Sequence, residues 1–186
     1  MLLLLMIIPV LIFAIIVIYV VSVYNGLVSL KNSAAAAWHQ IDVQLTRRAD
    51  LAGNLVETVK GYAAHEKAVF ENVASARAAV LEARTPGDAA KASTELGGAL
   101  ARLFAVAENY PELKASGNFS MLQSQLQEIE NRLASAREYY NETVRRYNTA
   151  CESFPASTFA ASFGFTPRMY FEAAPARTEP PQVSFT

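Results

Sequence analysis

Leu27-Val28-Ser29-Leu30-Lys31-Asn32-Ser33-Ala34-Ala35-Ala36-Ala37-Trp38-His39-Gln40-Ile41-Asp42-Val43-Gln44-Leu45 decides the fold class. Its apolar residues, Leu27, Leu30, Ala34, Ala37, Trp38, Ile41 and Leu45, recur at steps of three and four, which is one face of an α-helix. The stripe continues through Ala49, Ala52, Leu55, Val56, Val59, Ala63, Phe70, Val73, Ala76 and Val80. Gly53 and Gly61 are weak points that cost about 1 kcal/mol each relative to Ala, too little to end a helix. The periodicity therefore predicts one long helix over residues 26–84.

Upstream, no residue from Leu2 to Leu30 is charged. The core of that run, Leu2 to Val23, is about 22 residues long, enough at 1.5 Å each to cross a hydrocarbon layer of roughly 30 Å. Residues 1–25 read as a transmembrane anchor, with Pro9 tolerated inside it at the cost of a mild kink and Tyr19 and Tyr24 suited to its boundary. A cleaved signal peptide is the competing reading. Against it stand the absence of a basic n-region, the length of the run and the lack of a small-x-small site. Lys31, Arg47 and Arg48 follow the span and no charged side chain precedes it, so the positive-inside rule places the N-terminus outside and the soluble domain in the cytoplasm. Only Lys31 is close to the membrane, which leaves a periplasmic domain open.

Downstream, Thr85-Pro86-Gly87-Asp88 supplies an N-cap, a Pro at the first helical position and an acid in the first turn, so a second helix is expected over 86–109, ending before Pro111. Ser120 and Gln123 form a capping-box pattern for a third helix over 120–154, with Leu122, Leu126, Ile129, Leu133, Ala136, Tyr140, Val144 and Tyr147 on its stripe. Phe159, Phe163-Gly164-Phe165 and Tyr170-Phe171 suggest a short helix and loop closing one end, and the Pro- and Thr-rich residues 173–186 a disordered tail. The fold class is all-α: an N-terminal transmembrane helix continuing into a long-helix, antiparallel up-and-down bundle spanning 26–172. The lengths of the three helices, about 85, 35 and 50 Å at 1.5 Å per residue, do not match. With helix two folding back and helix three running outward, Leu27 to Leu55 would lack an intrachain partner. A further break could cover that stripe; otherwise other copies of the chain would, which predicts homo-oligomers.

The charges, 16 basic against 17 acidic, include no basic block that could track a phosphate backbone, which argues against a nucleic-acid partner. His39 and His65 would lie nearly 40 Å apart on one helix, and neither follows a Glu by three residues, so no metal site is expected. Cys151 is the lone cysteine and has no activating His nearby in sequence. No phosphate-cradling glycine loop or Gly-x-Ser-x-Gly turn is present. Neither enzymatic activity nor a cofactor is expected. The densest polar stretch holds Gln44, Arg47, Arg48, Asp50, Asn54 and Glu57, with Arg47/Asp50 and Gln44/Arg48 at helix-neighbour spacing. Together with Trp38, Tyr110, Tyr140 and Tyr147 these residues form the candidate interaction surface, against the plainer readings of a solvated face for the polar residues and packing for the aromatic ones. Asn141 and Asn148 fall among the tyrosines, where their amides should find partners.

Several segments resemble the LemA family. Tyr24-Asn25 and Leu27 to Asn32, Ala37-Trp38, Ile41 to Leu45 and Arg47 to Leu51 match its first part; Asn54 to Tyr62 with His65-Glu66 matches its central signature. Glu108 to Ala115 matches its turn, Tyr139-Tyr140-Asn141 through Arg146-Tyr147-Asn148 its last long helix, and Phe154-Pro155, Gly164-Phe165 and Pro181 to Phe185 its close. Ala52-Gly53 departs from the family's usual apolar residue followed by Pro. The resemblance implies a bacterial inner-membrane protein with a short external N-terminus, an antiparallel helical cytoplasmic domain and no assigned catalytic residues. It also implies association with membrane proteases or envelope proteins. The expected function is a non-catalytic scaffold in the lipid bilayer that self-assembles through its long helix, organising a membrane patch or recruiting envelope proteins. The alternative is a regulatory adaptor of a membrane protease or other membrane enzyme. A small-molecule sensor or enzyme built on the tyrosines and asparagines ranks last.

Overall fold

The computed structural model describes residues 2–172, with side chains from residue 7 onward; the tail expected over 173–186 lies outside the described residues. Helix α1, Leu2–Lys60, runs without interruption from the apolar segment into the bundle, with Pro9 inside it. The helix expected to continue to Arg84 stops there. The amides of Tyr62 and Ala63 both bond the Val59 carbonyl at 3.0 and 2.9 Å, and the chain reverses through residues 61–66 into α2, Lys67–Glu82. Lys60 lies over the Phe70 ring and Asp50 pairs with Arg77, so α2 folds back antiparallel on α1. The apolar stripe past Val59 has nothing to pack on in a straight helix. Turning at Gly61 buries Phe70, Val73, Ala76 and Val80, a gain that outweighs the lost helical bonds.

Helix α3, Pro86–Ala107, starts at the expected signal. Thr85 is its N-cap, accepting the Asp88 amide at 3.1 Å and donating to the Asp88 carboxylate at 2.7 Å. A single turn, α4, Pro111–Lys114, leads to α5, Gly117–Glu152. The expected start at Ser120 is corrected: Ser120 already sits inside α5, its amide bonded to the Ser116 carbonyl. Phe119, 2% exposed, is the reason, because its ring packs on Phe104 of α3 and draws the first turn into the core.

The extra reversal at 61–66 inverts the course of everything after it. Helix α5 therefore returns toward the apolar end of α1, where the expectation had it running outward. Arg48 meets Glu130, Trp38 meets Tyr140, and Leu27 clusters with Tyr147 and Cys151. The 36 residues of α5 span about 54 Å, close to the length of α1 beyond Gly26. The most extensive packing in the molecule is accordingly α1 on α5. Leu27, Ala34, Ala37, Ile41, Leu45, Ala49, Ala52 and Leu55 are all buried within the chain. The stripe from Leu27 to Leu55 has its partner, which removes the premise from which homo-oligomers were expected.

The Gly97-Gly98 pair in α3 separates into two cases. A methyl group on Gly97 would lie 3.2 Å from the Arg48 guanidinium, whereas one on Gly98 would meet nothing within 4 Å. Gly98→Ala is expected to stabilise the domain by about 0.5–1 kcal/mol by reducing unfolded-chain entropy, with Gly97→Ala gaining less. Paired thermal melts in detergent check the order.

Candidate functional site on the helical face

The polar residues singled out on α1 separate by direction. Arg48 sits on the stripe, three residues after Leu45 and four before Ala52, and is 6% exposed. Its guanidinium pairs with Glu130 of α5 at 2.6 Å and donates to both the backbone carbonyl and the hydroxyl of Ser93 of α3, at 2.8 and 3.0 Å. Arg137 of α5 donates to the same hydroxyl at 2.8 Å and stacks on the Phe171 ring. Two guanidinium groups thus share one hydroxyl, and one of them, Arg48, holds the carboxylate. Burial first, and then the charge of Arg48, push the pKa of Arg137 below its usual value, while Glu130 acts in the other direction. The cluster ties three helices into one register. The expected Gln44/Arg48 pairing is replaced by these cross-helix bonds.

Trp38, half-buried, packs against Tyr140 and Phe171. Tyr140 and Tyr147 are 2% and 1% exposed, so both are core residues, and Tyr110 is half-buried beside the larger core cluster. Burial, then a hydrogen bond with Cys151, pushes the Tyr147 phenol up to about 12. The Tyr140 hydroxyl donates to the Met169 carbonyl at 2.9 Å.

Of the remaining polar residues, Arg47, Asp50, Asn54 and Glu57 are exposed and Gln44 is half-buried. Gln44, Arg47, Asp50 and Asn54 line an open groove between α1 and α5 whose other wall includes Gln125, Glu128 and Arg132. Gln44 also belongs to the adjoining groove of His39, Gln40, Asn131 and Tyr139, and its Oε1 has no hydrogen-bond partner among the described residues. Asp50 pairs at 3.3 Å with Arg77, not with Arg47, and Glu57 pairs with Lys60 at the distal end of α1. Among the described residues no three His, Cys, Asp or Glu side chains gather where they could hold a metal.

Sequence reading missed Ser93, Glu130 and Arg137. Glu130 and Arg137 lie seven residues apart, two turns on one face, which was the available signal. The same spacing separates Asn141 and Asn148, and these do act together. Asn148 donates to the Arg168 carbonyl at 2.9 Å and accepts the Arg168 amide at 2.8 Å; Asn141 does the same with Phe171, at 3.1 and 2.8 Å. Each side chain thereby imitates one rung of a β-ladder, and the two strap the segment after residue 165 antiparallel along α5. Replacing both Asn141 and Asn148 with Ala is expected to speed hydrogen exchange at the Arg168 and Phe171 amides by about tenfold or more, since each side chain–backbone bond contributes about 1 kcal/mol. Unchanged exchange would show that the Tyr140–Met169 bond and the packing of Phe171 hold the strap without the two amides.

Together these features describe an all-α protein whose first helix is long and apolar enough to cross a membrane and whose polar groups serve interhelical register and one open face. The chain belongs to the LemA family, whose family model matches residues 37–185. It is 29% identical to the magnetosome protein MamQ of Magnetospirillum gryphiswaldense, over 86% of this chain and 70% of that protein. It is 28% identical to the magnetosome proteins MamQ 1 and MamQ 2 of Paramagnetospirillum magneticum, over 84% of this chain and 67% of each.

Proposed function

We propose that this chain is a membrane-anchored, non-catalytic scaffold that holds the open α1/α5 face at a fixed height above the bilayer and recruits envelope proteins to it. The observation that carries the reading is the unbroken α1, Leu2–Lys60, which makes the anchor and one wall of the groove a single rigid element. Arg47 and Asn54 follow Val23 by about 35 and 45 Å of helix, beyond the headgroup layer and within reach of a membrane neighbour's soluble part. Their face offers amides and both signs of charge, suited to a polar protein contact and poorly suited to lipid. The magnetosome names of the relatives support a role in organising a cellular compartment.

The test is photo-crosslinking in cells from Arg47 and Asn54, with exposed Lys67 as the control position, followed by the mass of the purified full-length chain in nanodiscs. A discrete adduct formed from the groove positions alone supports recruitment, and its mass separates an envelope protein from a second copy. Equal yields from groove and control positions, with a monomer in nanodiscs, would discard the scaffold reading.

A further inference from the structure

The end of the bundle nearest the apolar half of α1 is built from an uncharged segment. Between Glu152 and Arg168, residues 153–167 contain no charged side chain and four phenylalanines. This segment forms two short 3-10 turns, Ala156–Thr158 and Ala161–Phe163, and folds against α1. Gly164, at φ 76°, adopts the left-handed conformation that lets the Phe165 amide return to the Ala160 carbonyl at 3.0 Å. Phe165 is buried with Leu27, Tyr147 and Cys151, and Lys31 sits over its ring at 5.6 Å. Phe163 and Phe165 both meet the Tyr24 ring edge-on at 5.4 Å. Two rings are left facing out: Phe154 is 84% exposed and Phe163 49%.

We infer that residues 153–165 form an aromatic collar seated in the headgroup layer of the bilayer, a second membrane contact beside the span. The inference rests on reading α1 as the membrane anchor. The charge-free run Leu2 to Leu30 measures about 43 Å along the helix, the thickness of a hydrocarbon core with its two interfacial layers. Leu27 to Leu30 then fall in one interfacial layer with Tyr24 at its inner edge, and Phe163, packed on Tyr24, lies at that boundary. Aromatic side chains favour that layer, and Lys31 brings the first positive charge to its aqueous edge. A lipid surface is therefore the occupant that continuity with α1 supplies for Phe154 and for the outer half of the Phe163 ring, which the described residues leave exposed.

The test uses the full-length chain in vesicles of phosphatidylethanolamine and phosphatidylglycerol carrying a nitroxide either near the headgroup or near the chain end. Phe13→Trp, Phe154→Trp and Phe163→Trp are made singly, with the wild-type signal of Trp38 subtracted. Phe154 and Phe163 are exposed, so both replacements leave the fold intact, which circular dichroism checks. The shallow nitroxide is expected to reduce emission of Phe154→Trp and Phe163→Trp by about twofold or more, and the deep one to act mainly on Phe13→Trp. Deep quenching of Phe13→Trp without shallow quenching of the other two would overturn the collar and leave the anchor standing. Blue-shifted but unquenched emission from Phe163→Trp would assign the cover to another protein surface and overturn it equally. Absence of deep quenching at Phe13→Trp would remove the anchor and the collar together.

Discussion

Arg48→Ala is expected to destabilise the helical domain by about 3 kcal/mol, because removing one partner of a buried pair strands the other. Glu130 would lose its cation, and the Ser93 carbonyl and hydroxyl would lose the donors that Arg48 supplies. The Glu130 side chain keeps 33% exposure and so some hydration, which sets the loss at the lower end of the range for such pairs, about 3–5 kcal/mol. For a domain of this size that corresponds to about 6–12 °C in Tm, well within the resolution of a melt in detergent. Arg48→Met with Glu130→Leu should recover much of it, since a packed apolar pair avoids the desolvation cost. A loss under about 1 kcal/mol for Arg48→Ala would mean that water reaches the cluster and the ion pair behaves as a surface one.

Leu55→Ala is the second large effect, at about 3 kcal/mol. Leu55 is 0% exposed and lies in the larger core cluster with Val59, Phe70 and Val73, where α1 meets the returning α2. Truncation loses the transfer energy of the buried carbons and leaves a cavity that rigid helices fill only in part, about 2–5 kcal/mol for such positions. The comparison that gives the number meaning is Leu81→Ala on α2, 44% exposed and expected to cost less than about 1 kcal/mol. Similar losses at both positions would show that the α1/α2 corner is loosely packed. A Leu55→Ala loss confined to hydrogen exchange in α2, with α1 and α5 unaffected, would show that the corner opens independently of the main helix pair.

Much of the fold was legible in the residues themselves. The charge-free run to Leu30, the Thr85-Pro86 start signal and the stripe of α5 each follow from local rules of composition, capping and period. The reversal at residues 61–66 was not, because the stripe passes through Ala63 to Phe70 in near-helical register and Gly61 is only a weak breaker. What turns the chain there is the burial of α2 against α1 and α3, a gain between elements far apart in sequence. Missing that single reversal inverted the course of α5 and made Leu27 to Leu55 look unpartnered. The same blindness touched the candidate surface: Arg48 stands at a stripe position, but its charge suggested solvent until Ser93 and Glu130 converged on it. Gln44, Arg47, Asp50 and Asn54, which need only the helical period to be placed, do share one open groove.

The unbroken α1 also makes the molecule a lever. From Val23 to Lys60 the helix extends about 55 Å, so a change of roughly 10° in the tilt of a seated span carries the α1/α2 corner sideways by about 10 Å. Transmembrane helices change tilt by such amounts when bilayer thickness changes. With the span seated as proposed, a small adjustment within the lipid is delivered at the far end as a displacement the width of a helix, with α5, packed along α1, as the brace.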